Sequence, residues 1–255
     1  MRIPRPLAVA VLLVLFATGG VASPPPGGPA ENPWIQLFNG QDLSGWTPKV
    51  RGYDLGENPH RLFRVEGGEL RVSYDDWPAP FDEAFGHLFY ETPYSHYRVR
   101  AVYRMVGEQV AGGPGWARMN NGLMLHCQPP ETMARDQKFP DSIEAQMLAA
   151  NRGEDRATGS ICTPGTHVVV DGEAIKSHVV GCDGASFGPD QWVTYEVEVR
   201  GDHVQHIVNG VVVHDYLACQ DPFASGVPLT EGYIAIQAES APTQFRTIEL
   251  RVLDE

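Results

Sequence analysis

A chain of 255 residues with 42% hydrophobic and 20% charged residues has the composition of an ordinary folded domain, which excludes collagen-like, coiled-coil and multi-span membrane classes. Nineteen Lys and Arg against 32 Asp and Glu give a formal charge of −13, and with no basic cluster in the chain a phosphate backbone is repelled, which excludes nucleic acid as a partner. The 27 Gly and 21 Pro, in a chain with 10 Phe and 9 Tyr, point to short strands joined by many turns rather than to a helical bundle.

In chain order, Arg2 and Arg5 precede an apolar run over residues 7–17, and small residues lead to Val21-Ala22-Ser23. This is the pattern of a secretory signal cut after Ala22. The run is shorter than the roughly 20 residues that a membrane-spanning helix needs, so no span is expected after cleavage, an uncleaved anchor being the alternative. Residues 1–22 are therefore read as the signal, the Pro- and Gly-rich residues 23–31 as a tether, and residues 32–255 as a single domain exported to the periplasm or beyond. Loss of two arginines makes the mature chain more acidic still.

From Trp34 onward, strand patterns recur at residues 63–65, 69–73, 87–90, 97–103, 122–127, 142–148, 167–170, 175–180, 192–200, 203–208, 211–216, 232–237 and 247–253. Val193, Tyr195, Val197 and Val199 alternate with Thr194, Glu196, Glu198 and Arg200, the period of a strand with one buried and one wet face. Asn209-Gly210 between β-branched runs suits the type I′ turn of a hairpin. The class is all-β, a two-sheet β-sandwich or jelly roll, with helix confined to connections. Export makes Cys127, Cys162, Cys182 and Cys219 candidates for disulfides. The segment between Cys162 and Cys182 reads as a hairpin that could bring them together, so a Cys162–Cys182 bridge is favoured, with four free thiols as the alternative.

The opening Leu37-Phe38-Asn39-Gly40-Gln41-Asp42-Leu43-Ser44-Gly45-Trp46 is followed in order by Asn121-Gly122-Leu123-Met124-Leu125-His126, Ser142-Ile143-Glu144-Ala145-Gln146, Val208-Asn209-Gly210, Gly232-Tyr233-Ile234-Ala235-Ile236-Gln237 and Phe245-Arg246-Thr247-Ile248-Glu249-Leu250. This ordered set, spanning residues 34–253, resembles the 3-keto-disaccharide hydrolase domain family. The resemblance implies a concanavalin-like sandwich acting on carbohydrate whose C3 hydroxyl has been oxidised to a ketone. The chain departs from the family pattern with Asn121 in place of Ser and Thr247 in place of Asn. The insertion over residues 128–140 and the segment 162–182 mark a subgroup whose substrate differs.

Alternation puts Ser142, Glu144, Gln146 and Leu148 on one strand face, and Gly122, Met124 and His126 on one face of another. Glu144 is the candidate base or metal ligand, His126 its acid partner, and Gln146 an orienting amide for a sugar hydroxyl. The competing structural reading of Glu144 is a buried ion pair with Arg246; that of His126 is a hydrogen-bonded histidine at a sheet rim. Gln237 and Glu239 lie two apart and could add a second carboxylate. Arg118, Asn120 and Asn121 supply donors for sugar oxygens. Trp46 is a candidate stacking surface for a pyranose, although an aromatic after Leu-Ser-Gly more often tucks into a core.

No serine-hydrolase, zincin, phosphate-loop or dinucleotide motif is present. The histidines are dispersed, and no cofactor is indicated beyond Ca²⁺ or another divalent cation held by acidic oxygen ligands. The expected partner is a small or oligosaccharide substrate. The leading expectation is cleavage of 3-keto-glycosides; the rivals are a non-catalytic sugar-binding module and an endoglucanase-like hydrolase pairing Glu144 with a second acid such as Glu239 at about 5–9.5 Å. The export reading predicts that the secreted protein begins at Ser23; intact-mass measurement retaining residues 1–22 would refute it.

Overall fold

The computed structural model describes residues 32–254; the expected signal and tether lie outside the described residues. The strands in chain order are β1 (Ile35–Gln36), β2 (Trp46–Val50), β3 (Phe63–Glu66), β4 (Glu69–Val72), β5 (Gly86–Tyr90), β6 (His96–Met105), β7 (Asn120–Cys127), β8 (Ile143–Leu148) and β9 (Ile161–Cys162). They continue with β10 (His167–Val170), β11 (Glu173–Ala174), β12 (Val179–Val180), β13 (Val193–Arg200), β14 (His203–Val208), β15 (Val211–Cys219), β16 (Tyr233–Ala238) and β17 (Thr243–Val252). Among the described residues, helix is limited to single turns. Among the described residues, no helix is long and apolar enough to cross a membrane.

The strands form two antiparallel sheets, as expected of a jelly roll. A ten-stranded sheet runs β11-β10-β15-β14-β13-β6-β17-β4-β3 with β1 added on β17, and a seven-stranded sheet runs β12-β9-β8-β7-β16-β5-β2. Side chains from both inner faces meet in one core: Val193, Tyr195, Val197 and Val199 from β13 and Ile143, Ala145 and Met147 from β8 all belong to it. Period-two alternation then sends the intervening residues outward.

The outer face of the ten-stranded sheet uses that alternation for charge. Glu196 on β13 lies opposite Arg100 of β6. Its carboxylate accepts from Arg100 at 2.8 Å and from Arg98 at 3.0 Å, and Arg100 reaches on to Glu249 at 2.8 Å. Trp34 lies under both Arg100 and Arg251, its ring centroid 4.1 and 4.7 Å from the guanidinium carbons. Cross-strand ion pairs of this kind hold register rather than build a site.

One expectation is corrected. Residues 162–182 do not form a single hairpin: β10 and β11 pair with each other at the edge of the ten-stranded sheet, whereas β12 pairs with β9 in the seven-stranded one. A hairpin turn at Asp171-Gly172 does form, with the Ile175 N–H donating to the Val168 carbonyl at 3.0 Å, but the segment then crosses between sheets, so the strand read at 175–180 breaks and Val179–Val180 pairs with β9 instead.

The β14–β15 turn has φ +46° at Asn209 and +82° at Gly210, the pair of left-handed conformations that a type I′ turn requires. A Cβ at Gly210 would meet nothing within 4 Å, so substitution there tests the backbone alone. Gly210→Ala is expected to lower unfolding stability by about 1 kcal/mol, read from the denaturant midpoint; an unchanged midpoint would mean that the turn relaxes freely.

Candidate active site

The outer face of the seven-stranded sheet carries the candidate site. The β7–β8 register sets Met124 opposite Glu144, Gly122 opposite Gln146 and Asn120 opposite Leu148, and Glu144 is in turn opposite Cys162 of β9. Because Ile143, Ala145 and Met147 are committed to the core, Glu144, Gln146 and Leu148 must face outward. They line a cavity of about 530 Å³, together with Asn120, Arg156 and Glu239. That volume is within the range of about 300–1,000 Å³ typical of small-molecule sites.

Gly122 explains how Glu144 lies. A Cβ at Gly122 would stand 2.6 Å from both Cγ and Oε1 of Glu144, so the carboxylate rests over bare backbone. The Glu144 residue is only 5% exposed, and burial pushes its carboxyl up to about 8, with the Gln237 amide and the Cys162 thiol beside it partly offsetting the shift. Neither Glu144 Oε1 nor the Gln237 side-chain atoms close a well-formed hydrogen bond. Burial and the nearby Glu144 charge together hold Glu239 well above the usual carboxylate range, against the opposing pull of Arg156. Glu239 Oε2 and Asn120 Oδ1 are also buried without a partner. Unpaired buried polar atoms are costly in a fold, and those of Glu144, Glu239 and Asn120 line one cavity, with Gln237 beside Glu144, as in a site that binds polar groups.

Arg156 comes from the loop between β8 and β9. Its guanidinium donates to the carbonyls of Arg118 and Met119, and to that of Trp116 at 3.4 Å. These bonds fix it beside Glu239 and anchor the loop that leads into β7. The rest of the cavity wall mixes apolar side chains, Trp116, Phe139, Leu148, Pro164 and Val179, with Ser160, Cys162 and His178.

Of the residues singled out from sequence, Glu144, Gln146, Gln237 and Glu239 come together. His126 does not. A register shift between β16 and β7 and a φ of +50° at His126 break the alternation after Met124. The ring instead lines a separate cavity with Glu231 and Tyr233, where burial lowers its pKa to about 4. Asn121 faces the core, donating to the Gln237 carbonyl at 2.8 Å and to Thr243 at 3.2 Å; its neighbour Asn120 is the one that reaches the cavity. Arg118 pairs weakly with Glu108 at 3.9 Å, and it serves the site only through its backbone carbonyl. Arg246 is exposed on the other sheet, its guanidinium 4.7 Å from the Trp192 ring centroid, so the ion pair with Glu144 does not form. Trp46 is core, its indole donating to the Leu37 carbonyl at 2.8 Å.

The expected Cys162–Cys182 bridge is also corrected: all four cysteines are free. Cys162 turns to Glu144 in the cavity, whereas the Cys182 thiol donates to the Thr158 carbonyl at 3.4 Å. Arg156 and Trp116 were missed from sequence, because both lie in loops without strand periodicity. Among the described residues, no group of three or more His, Cys, Asp or Glu is arranged to hold a metal ion.

The family model of the 3-keto-alpha-glucoside-1,2-lyase-like domain matches residues 33–251. The chain belongs to that family, which places it among carbohydrate-active jelly-roll proteins. Its fold is similar to that of a putative glycosyl hydrolase from Parabacteroides distasonis, at 16% identity over 87% of this chain and 100% of that one, with a TM-score of 0.54. A galectin-like protein of unknown function from Bacillus subtilis gives 14% identity, 88% and 96% coverage and a TM-score of 0.55. The Bacillus licheniformis β-glucanase gives 11%, 88% and 99%, and 0.52. At such identities the likeness is one of fold. A search of curated proteins finds no match.

Because the folded protein keeps Glu144 protonated where an unfolded chain ionises it, the native state binds the extra proton between about pH 4.5 and 8. The group's contribution to stability is therefore lost as pH rises through that window. Glu144→Gln is expected to gain stability relative to the parent between about pH 5 and 8.5, read from paired denaturation curves. Parallel pH profiles for the two proteins would refute the buried-carboxyl assignment.

Proposed function

We propose that the protein cleaves 3-keto-glycosides by removing the proton at C2, with Glu144 and Glu239 as the acid–base pair. The observation that carries this reading is two buried carboxyls, both held above their ordinary range, in one sugar-sized cavity. Two such groups titrate as a unit: the first proton is lost as pH rises through about 8 and the second is retained above it, leaving one base and one acid on the alkaline side of neutrality.

A ketone at C3 acidifies the C2 hydrogen. The ionised carboxyl takes that proton, and the C2–H electrons form the enolate of C2 and C3. The enolate collapses with cleavage of the C1–O bond, producing a C1–C2 double bond conjugated to the ketone, and the protonated carboxyl gives its proton to the departing oxygen. Water then adds across the double bond to release the free 3-keto sugar. The positive charge of Arg156 and the amides of Asn120, Gln146 and Gln237 supply stabilisation for the developing oxyanion and partners for ring hydroxyls. With both carboxyls ionised, the oxygen atoms of Glu144, Glu239 and Asn120 would hold Ca²⁺ or another hard divalent cation, which would supply Lewis-acid support to an enolate in place of the carboxyl acid. Export by the amino-terminal signal would place the reaction in the periplasm or outside the cell.

The carboxyl pair also suits ordinary glycoside hydrolysis, so the assay must include unoxidised sugars. With 3-keto-trehalose, the parent is expected to release 3-keto-glucose, and Glu144→Gln and Glu239→Gln to do so roughly 10²–10⁴-fold more slowly. A chelator arm reports on the cation. Full activity in either variant would overturn the acid–base assignment. Reducing ends released from unoxidised glycan alone, or saturable binding without product, would overturn the reaction.

A further inference from the structure

A second cavity, of about 420 Å³, lies against the first and shares two of its walls, Trp116 and Phe139. Its remaining lining is mostly apolar, with Phe81, Phe85 and Pro114, and it carries one charged pair, Lys138 and Glu83, at 2.6 Å. The two cavities thus differ in chemistry. The first gathers the carboxyls, the arginine and the amides; the second is an aromatic recess with polar groups at its edge.

Trp116 is 55% exposed, which is unusual for the largest apolar side chain unless one face is kept for a ligand. Its position is built rather than loose. One face stacks on Phe85, with centroids 6.0 Å apart and planes 12° from parallel, and Phe85 is itself buried and packed on Phe81 at 5.1 Å and Phe139 at 4.8 Å. The Trp116 carbonyl accepts from Arg156, the same side chain that lies beside Glu239. The aromatic shelf is therefore tied by one residue to the proposed reaction centre. Phe139 and Lys138 come from residues 128–140, the insertion that sets this chain apart in sequence.

We propose that this recess is the leaving-group subsite, and that it takes a flat apolar ring, so that the preferred substrate is a 3-keto-glycoside with an aryl aglycone rather than a second sugar. The inference rests on the reading of the first cavity as the sugar site. A pyranose leaving group carries hydroxyls around its whole rim, and those set against Phe81, Phe85 and Pro114 would be desolvated with no partner nearer than the Lys138–Glu83 pair, whose charges already satisfy each other. A phenolic ring has one polar edge, which the open face of the shelf leaves free to point toward the departing C1–O bond. Stacking between Trp116 and Phe139 then positions that bond beside the carboxyl pair.

The test compares phenyl 3-keto-α-glucoside with 3-keto-trehalose in the parent, Trp116→Ala and Trp116→Phe, and measures phenyl α-glucoside binding to Glu144→Gln by calorimetry, with and without Trp116→Ala. The parent is expected to favour the aryl substrate in kcat/KM by at least roughly tenfold, about 1.4 kcal/mol. Trp116→Ala should erase that preference and Trp116→Phe restore most of it. Equal turnover of both substrates, with a preference indifferent to Trp116, would overturn the subsite and leave the proposed reaction standing. Absence of turnover together with Trp116-dependent calorimetric binding would overturn the reaction and support the subsite. Neither turnover nor binding would overturn both.

Discussion

The site depends on one close contact, the side chain of Glu144 lying across the bare backbone of Gly122. Any larger residue at 122 would place its Cβ within 2.6 Å of the carboxylate and push it off the sheet. The contact lets an acidic side chain lie low on the sheet, where neighbouring strands and loops strip it of water. Desolvation in turn raises its proton affinity into the range useful for acid–base work. Glu239, brought to the same cavity from the end of β16, adds its own charge, so neither carboxyl ionises independently of the other.

The two sheets use the same alternation for opposite purposes. On the ten-stranded sheet, the outward carboxylate of Glu196 meets Arg98 and Arg100 directly, and its charge is neutralised across the strands. On the seven-stranded sheet, the outward carboxylate of Glu144 meets no cation of its own strand or its neighbours, facing Gly122, Met124 and Cys162 instead. A paired carboxylate of the first kind contributes to register. An unpaired, dehydrated one of the second kind is destabilising by itself and persists because the surrounding core is large, as strained polar groups at functional sites do. The loops complete the difference: Arg156, Trp116 and Phe139 all lie outside the strands that carry the carboxyls.

The all-β class, the Asn209-Gly210 hairpin and the outward direction of Glu144 and Gln146 were legible in the sequence, since each follows from local rules: a period of two, a turn that needs two positive φ values, and a strand whose alternate residues are apolar. The same reasoning failed at His126, where counting by twos runs through a bulge. One extra residue in β7 opposite β16 changes the direction of all that follows, and nothing in Leu125-His126-Cys127 announces it. It failed in a related way at residues 162–182, where a plausible hairpin pattern is divided between two sheets. At the paired asparagines β7 begins two residues before the strand read at 122–127, so period-two alternation puts Asn120 on the outward face with Gly122 and Asn121 on the core face.

By itself, then, the sequence determined most of the longer strands and, along each unbroken one, which face is wet, because side-chain alternation is a property of a single extended segment. Only the tertiary structure decided which wet residues share a cavity. That choice depends on register between distant strands and on loops that carry no period: it set Glu239 rather than His126 beside Glu144, brought Arg156 in from a connection, and stacked Trp116 on Phe85 at the rim.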